Sequence, residues 1–154
     1  GVQMVSLEQL LAESDFVSLH LPLNDQTRHL LDKPALLKMK AGSVLINTAR
    51  GAIVDEDALA EVLESGHLSG AGLDTFAVVD MHEPQPQPPE HPLFGMDNVI
   101  CTPHAAAFSI DSSREVGHGS VANLVAVLSG TWPPGDRIVN PEVTPRWPLT
   151  PGTK

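Results

Sequence analysis

The sequence has few cysteines and few basic residues, and it contains no long apolar run. A lone Cys101 excludes an internal disulfide framework and a metal cluster built from cysteines, and it fits a reducing cytoplasm. Nine Lys and Arg against 19 Asp and Glu give a formal net charge of −10, which offers no basic stripe to nucleic acid or anionic membranes. No apolar run approaches the roughly 20 residues of a membrane span. The composition predicts a globular cytoplasmic protein without nucleic-acid or membrane partners.

A glycine-rich phosphate loop after an N-terminal strand is also missing. The G-x-G-x-x-A match at Gly117, Gly119 and Ala122 lies inside a predicted helix with no strand before it, which is the wrong context for a dinucleotide fingerprint. Close helix packing explains that spacing better. No metal site is predicted, because the histidines other than His104 lack metal-ligand spacing: His20, His29, His67, His82, His91 and His118.

Helical and strand patterns alternate along the chain. Helices are predicted at residues 6–14, 33–39, 55–65 and 112–129, and strands at residues 15–21, 43–48, 70–76 and 98–102. The alternation predicts a parallel α/β sheet with right-handed crossovers. Five apolar residues of the last helix are expected to face inward: Val116, Val121, Leu124, Val125 and Leu128. The Pro-rich residues 131–154 are predicted to form an extended or disordered tail, so residues 1–130 are the predicted domain.

A cation and an imidazole come at or just beyond the ends of predicted strands, where open parallel sheets build their sites. Arg50 follows the second strand and precedes Gly51, and its guanidinium is suited to grip a carboxylate in bidentate fashion. The alternative is a surface ion pair between Arg50 and Asp55 or Glu56. His104 follows the last strand, where it is suited to proton transfer near neutral pH. The alternative for His104 is a loop histidine bonded to a backbone carbonyl.

Two acidic residues follow the third predicted strand or lie at its end, near the predicted site of Arg50 and His104. Glu83 could hold the imidazole and favour its charged form, although a glutamate in a Pro-rich loop is often only solvated. Asp74 interrupts an apolar strand end, where an unpaired carboxylate is costly. We therefore expect Asp74 to have a partner, either a helix N-terminus or a ligand amide.

Three segments carry a family resemblance: LLAESDFVSLHLPLNDQTRHLL, LLKMKAGSVLINTARGAIVDEDALAEVLESGHLSGAGLDTF and HPLFGMDNVICTPHAAAF. They resemble the D-isomer-specific 2-hydroxyacid dehydrogenases. The resemblance implies a Rossmann-like, doubly wound parallel sheet that binds NAD and faces a second, substrate-side domain across a cleft. It also implies a homodimer, and it does not exclude NADP as the cofactor.

The resemblance assigns roles to single residues. The arginine of the NTARG motif, here Arg50, would bind the substrate carboxylate and polarise the 2-oxo group. The histidine of the TPH motif, here His104, would be the acid/base, supported by the glutamate before proline, here Glu83. The aspartate of the GLD segment, here Asp74, would contact the nicotinamide carboxamide. The residues implied to contact the cofactor are Leu21, Pro22, Thr48, Ala49, Arg50, Asp74 and His104.

The chain departs from the family pattern in three places. AVVDMH stands where the family has a shorter acidic segment, so either Glu83 reaches His104 from an insertion or Asp80 takes its place. PHAAAF replaces the commoner PH-x-G-G or PH-x-A-G, which predicts a less close approach of the backbone to the cofactor. The first two Rossmann strands are not in this sequence, which predicts an incomplete sheet with a gap between the strands at residues 15–21 and 43–48.

The leading interpretation is an NAD(P)-dependent oxidoreductase that transfers a hydride between NAD(H) and the 2-position of a small D-2-hydroxy or 2-oxo acid. Two alternatives stay open. One is a non-catalytic, NAD-sensing scaffold of the kind represented by the C-terminal-binding-protein corepressors. The other is an inactive fragment that needs a partner chain. The residues that shape the substrate's side-chain pocket lie largely outside this sequence, so the acid itself is not predicted.

Overall fold

Four parallel strands form the sheet. The computed structural model describes residues 1–79, 90–140 and 142–150, and it divides into two compact units, Gly1–Ala106 and Ala107–Lys154. The strands all lie in the first unit: β1 Phe16–Leu19, β2 Val44–Asn47, β3 Gly70–Leu73 and β4 Val99–Cys101. The four predicted strands are confirmed, each somewhat shorter than the sequence pattern indicated.

The strand order is β1-β2-β3-β4, and each neighbouring pair is parallel. The predicted α/β class is therefore confirmed. The expected gap after the first strand is wrong, because β1 pairs directly with β2 from Phe16 opposite Val44 to Leu19 opposite Asn47. The local pattern of a strand predicts its existence, but its neighbours in the sheet are chosen by non-local hydrogen bonds. The sheet is continuous, and β1 is an edge of its described part.

The predicted helices are also confirmed, as α1 Leu7–Glu13, α2 Lys33–Lys38, α3 Glu56–Glu64 and α4 Ile110–Leu128. Each helix follows a residue whose side-chain oxygen accepts a backbone N–H of the first turn: Ser6, Asp32, Asp55 and Ser109. Gly66 lies just beyond the end of α3 with φ of +76°, a conformation that glycine adopts without strain. Short 3-10 helices span Gly51–Ile53, Pro92–Gly95 and Gly135–Arg137.

The core of the first unit lies between one face of the sheet and α1 to α3. Along β1 and β2 every second residue is buried, so Val17 and Leu45 point to the same face. The helices add one or more side chains each to that cluster, among them Leu11 of α1, Leu36 of α2 and Leu59 of α3. On the opposite face Phe16 is 69% exposed and Ile100 is 72% exposed. The sheet of the described unit is therefore covered mainly on one face.

The apolar residues of α4 do not face inward as predicted. Five of them are more than half exposed: Val116, Val121, Leu124, Val125 and Leu128. None of the residues of α4 is buried in the described chain. Helical periodicity identifies which face of a helix is apolar, but it does not say what covers that face. The predicted division of the chain at residue 130 stays a prediction. The second compact unit begins at Ala107 and contains both α4 and the residues after it.

Gly51 begins the turn that follows β2. A Cβ atom at this position would lie 2.2 Å from the backbone N of Ala77 and 2.2 Å from the carbonyl carbon of Phe76. Such distances are far below van der Waals contact, so only glycine fits where these two backbone segments meet. Gly51 therefore allows the segment after β3 to touch the turn after β2.

None of the helices in the described residues is long and apolar enough to cross a membrane.

The Gly51 contact predicts a stability change. Gly51→Ala is expected to lower the free energy of unfolding by roughly 1–3 kcal/mol, because the added methyl group must displace backbone rather than a side chain. Gly72→Ala in β3 is the matched control, since a Cβ there meets nothing within 4 Å. Urea unfolding of both variants measures the difference. Equal stability of the two variants would contradict the close approach.

Candidate active site

One cavity of about 690 Å³ lies at the carboxyl ends of the parallel strands. Its wall is formed by residues that follow the four strands, together with Cys101 at the end of β4 and Phe94 from the 3-10 helix before it. The full set is Leu23, Arg28, Arg50, Gly51, Ala52, Asp74, Thr75, Phe76, Ala77, Val79, Phe94, Cys101, Thr102, Pro103 and His104. A location at the carboxyl ends of the strands and a cavity of this size are both typical of small-molecule sites in α/β proteins. The cavity brings together three of the predicted site residues, Arg50, Asp74 and His104.

Arg50 is held in a turn by a buried asparagine. Asn47, the last residue of β2, is 1% exposed, and its side-chain amide donates to the Arg50 carbonyl at 2.9 Å. Its side-chain oxygen accepts the Ala49 N–H at 3.1 Å. The Arg50 side chain itself is exposed and donates through Nη1 to the Ala49 carbonyl at 2.6 Å. The guanidinium therefore keeps several N–H groups for a ligand.

The alternative of a surface ion pair for Arg50 is wrong. Asp55 caps α3 by accepting the Ala58 N–H at 3.1 Å, and Glu56 accepts the Ala77 N–H at 2.7 Å. Within the described ranges, no carboxylate lies within 4.0 Å of the Arg50 guanidinium. Sequence spacing suggested the pair, but the first turn of α3 uses both carboxylates elsewhere.

Asp74 follows the last residue of β3 and is 3% exposed. It accepts three hydrogen bonds: Oδ1 takes the Thr102 hydroxyl and the Ala105 N–H at 2.8 Å, and Oδ2 takes the Ala106 N–H at 2.9 Å. Asp74 thus has the partners that its position required, and they are supplied by the loop after β4. Its predicted contact with a nicotinamide carboxamide stays a prediction.

The surroundings of Asp74 also change its acidity. Burial acts to raise the pKa of Asp74, but the hydrogen bonds from Thr102, Ala106 and Ala105 and the charge of His104 outweigh burial. The net result is a pKa below the ordinary value, so the carboxylate is charged at neutral pH. Asp74 therefore contributes a fixed negative charge to the cavity wall.

His104 lies in a loop that Asp74 holds on both sides, at Thr102 and at Ala105 and Ala106. The His104 backbone has φ of +55°, which is uncommon for a residue other than glycine, and its N–H donates to the Thr102 carbonyl at 3.0 Å. Such backbone strain is often found at functional sites. Within the described residues the imidazole has no hydrogen-bond partner, so the alternative of a ring bonded to a backbone carbonyl is not seen.

Four other predicted site residues, all of them in the described part of the chain, are not among the residues that line this cavity. Leu21 and Pro22 follow β1, and Thr48 and Ala49 follow β2, so all four lie beyond the carboxyl ends of these strands. Glu83 and its substitute Asp80 lie outside the described residues. Their predicted support of His104 stays a prediction.

Sequence reasoning missed several residues of the cavity wall. Arg28 adds a second guanidinium to it, Thr75 adds a buried hydroxyl, and Phe76 and Phe94 pack with ring centroids 4.8 Å apart. Arg28 comes from the loop after β1, whose backbone is tied to the turn after β2 by the His29 N–H bond to the Ala52 carbonyl. No sequence motif signals that contact, because it joins segments far apart in the chain.

The described residues contain no group of three or more His, Cys, Asp or Glu side chains that could hold a metal ion.

Comparisons with known proteins all point to one family. Residues 1–106 match the D-isomer specific 2-hydroxyacid dehydrogenase, NAD binding domain. Glyoxylate reductase from Korarchaeum cryptofilum is 43% identical over 143 residues, which are 93% of this chain and 41% of that protein. D-3-phosphoglycerate dehydrogenase from Mycobacterium tuberculosis is 39% identical over 150 residues, which are 94% of this chain and 27% of that protein.

A solved structure has a similar fold. The crystal structure of D-lactate dehydrogenase with NAD+ from Lactobacillus jensenii has a TM-score of 0.77 and 35% identity, covering 84% of this chain and 41% of that chain. The chain thus spans about two fifths or less of the length of these relatives.

The Asp74 hydrogen bonds predict a pH-dependent stability difference. Asp74→Asn is expected to cost roughly 1–3 kcal/mol at pH 7, because an amide NH2 would face a backbone N–H that the carboxylate now accepts. The lowered pKa of Asp74 means that this stabilisation is present above the ordinary value of 3.8 and is lost as pH falls through the lower native value.

Urea unfolding at pH 7 and at successively lower pH measures this difference. Asp25→Asn, which changes an exposed carboxylate, is the control and should have little effect. A deficit of Asp74→Asn that stays constant into the acid range would contradict the assignment.

Proposed function

Because this chain belongs to the D-isomer specific 2-hydroxyacid dehydrogenase family, we propose that the protein is an oxidoreductase acting on small D-2-hydroxy and 2-oxo acids. The reaction would transfer a hydride between NAD(H) and the 2-position of the acid. The observation that carries this proposal is the meeting of Arg50, Asp74 and His104 in one cavity at the strand ends. A fixed cation and a titratable imidazole in one concave site suit the reduction of an anionic carbonyl compound.

Arg50 would bind the substrate carboxylate and polarise the 2-oxo group. Its exposed guanidinium has no carboxylate partner among the described residues, and the Asn47 amide holds its backbone in place. A guanidinium offers two parallel N–H groups to a carboxylate, which fixes the orientation of the bound acid. Arg50 would therefore place the carbonyl carbon for reaction.

His104 would act as the acid/base. As negative charge develops on the carbonyl oxygen, the imidazole would donate its proton to that oxygen, and in the reverse direction it would accept it. The loop bonds to Asp74 support this role, because they limit the movement of His104. Glu83 would support the imidazole, with Asp80 as the substitute if Glu83 does not reach it.

NAD is the proposed cofactor, and when bound it supplies or accepts the hydride. The cavity wall fits an amide-bearing ring, since the Thr75 hydroxyl has no partner among the described residues and Leu23, Phe76 and Pro103 provide apolar surface. The residues proposed to contact the cofactor are Leu21, Pro22, Thr48, Ala49, Arg50, Asp74 and His104. NADP is the alternative cofactor. Asp74 would orient the carboxamide by accepting a further hydrogen bond on its carboxylate oxygens, which already accept three.

Two further properties are proposed. A homodimer rests on the family resemblance, and a cytoplasmic location rests on the single, unpaired Cys101.

Replacing His104 tests the acid/base role. His104→Gln is expected to lower kcat for NADH-dependent reduction of glyoxylate by about 10²–10⁴, because the proton donor is lost. The affinity for NADH should fall far less than kcat, since His104 is only one of several proposed cofactor contacts. Steady-state kinetics and calorimetry on the full-length protein measure the two quantities. His118→Gln on α4 is the control and should leave both unchanged, whereas equal losses of turnover and NADH affinity in His104→Gln would contradict the role.

Replacing Arg50 tests carboxylate binding. Arg50→Lys keeps the positive charge but loses the bidentate geometry, so kcat/KM for glyoxylate is expected to fall by about 10- to 100-fold. The loss should be much smaller for an aldehyde that has no carboxylate, because that contact is then absent from both proteins. A loss of the same size for both substrates would show that Arg50 does not bind the carboxylate.

A further inference from the structure

Glu56 is a buried carboxylate that the proposed mechanism does not use. It lies in the first turn of α3 and is 8% exposed, and its side chain is not part of the cavity wall. Its Oε1 accepts the Ala77 N–H at 2.7 Å, and Oε2 has no hydrogen-bond partner among the described residues. Burial raises the pKa of Glu56, although the backbone N–H of Ala77, the nearby His91 and the backbone of Val78 oppose this effect. A half-satisfied buried carboxylate is destabilising by itself, so its position needs a reason.

Helix capping does not supply that reason. Asp55 already accepts the Ala58 N–H as the N-cap of α3, and the exposed Asp57 places a second negative charge in the first turn without burial. The hydrogen-bond partner of Glu56 points elsewhere, to a segment 21 residues further along the chain.

Ala77 belongs to the wall of the cavity, and its backbone touches the turn that carries Arg50. Phe76 and Ala77 both line the cavity, and Gly51 has no side chain because a Cβ would meet their backbone at 2.2 Å. Ala77 itself is exposed, so burial does not hold it in place. The hydrogen bond from the Ala77 N–H to Glu56 therefore joins this segment to α3 at the point where it contacts Gly51, the residue after Arg50.

The other flank of residues 80–89 is tied to the same turn of α3. His91 Nε2 lies 3.2 Å from Asp57 Oδ1, and His91 Nδ1 accepts the Leu93 N–H at 3.3 Å. Phe94, which follows, packs against Phe76. Adjacent acidic residues of α3 therefore contact the described chain on each side of residues 80–89.

We propose that Glu56 is a positioning residue, which holds the Phe76–Ala77 wall against the Arg50–Gly51 turn and so sets the width of the substrate site. This inference rests on the proposed function, because it assumes that the cavity takes a 2-oxo acid at Arg50. Glu56 would act through the wall and would not touch the substrate. Loss of its carboxyl group should weaken binding of the acid to the protein that remains folded. A lower folded fraction alone would not change that affinity.

The experiment compares Glu56→Ala, Glu56→Gln and the control Glu64→Gln, an exposed glutamate on the same helix. Amide hydrogen exchange, followed by NMR on the full-length protein, reports the Ala77 N–H directly. Glu56→Ala is expected to speed that exchange by about 10- to 100-fold, since the Ala77 N–H loses its hydrogen-bond acceptor. Glu56→Gln keeps an acceptor oxygen and should restore most of the protection.

Binding of oxamate, a non-reacting mimic of a 2-oxo acid, is the second readout, measured with NADH present. Glu56→Ala should raise the Kd for oxamate by about 10-fold, and Glu56→Gln should recover it in part. In turnover assays the same variant should raise KM for glyoxylate more than it lowers kcat. A merely structural role would lower the folded fraction, which reduces apparent kcat and leaves KM and the oxamate Kd unchanged.

The outcomes separate the inference from the proposed function. Unchanged Ala77 exchange in Glu56→Ala would overturn the inference, and so would faster exchange with unchanged oxamate affinity. If the unmodified protein does not bind oxamate, the proposed function itself is contradicted, and the positioning role is overturned with it. Faster exchange together with weaker oxamate binding, both recovered in Glu56→Gln, would support it.

Discussion

The buried carboxylate of Asp74 joins the ends of two neighbouring strands, and the arrangement of the cavity depends on that junction. Asp74 follows β3, while its three donors, Thr102, Ala105 and Ala106, follow β4. Leaving a buried hydrogen-bonding group without its partner typically costs about 1–3 kcal/mol, so separation of the loop after β4 from Asp74 would be destabilising. Because His104 lies between these donors, its position is fixed by a residue on another strand.

A second junction connects the same segment to the strand on the other side. Phe76 and Ala77 contact the turn at Gly51, and the Ala77 N–H is bonded to Glu56. Since β3 lies between β2 and β4, the residues that follow it are within reach of the loops after both neighbours. Residues 74–77 therefore hold the turn that carries Arg50 and the loop that carries His104 together at the carboxyl ends of the strands.

The sequence predicted the elements of the first unit well because those signals are local. The N-caps of the helices at Ser6 and Asp55 and the end of α3 at Gly66, for example, each involve residues only a few positions apart. The family motif likewise identified Arg50 and His104 as residues of one site, because it records a set of residues rather than a distance. The need of Asp74 for a partner followed from the cost of burying a charge.

Two expectations and one alternative failed, and in each the answer was non-local. The expected gap after β1 is closed by pairing with β2, and the apolar face of α4 is exposed. The alternative ion pair between Arg50 and Glu56 is not formed, because Glu56 accepts the Ala77 N–H. A pattern in one segment cannot say which distant segment will meet it, because many partners satisfy the same hydrogen bonds or apolar surface.

The sequence by itself determined the strands, the helices, their caps and the chemical types available to the site, since each depends on neighbouring residues. Only the tertiary structure decided that β1 pairs with β2, that Arg28 shares a cavity wall with Arg50, and that Glu56 and Asp74 bond the segments that form this wall. The physical reason is that the backbone contact at Gly51 and the bonds of these two carboxylates join residues 21 to 32 positions apart, which come together only when the sheet forms.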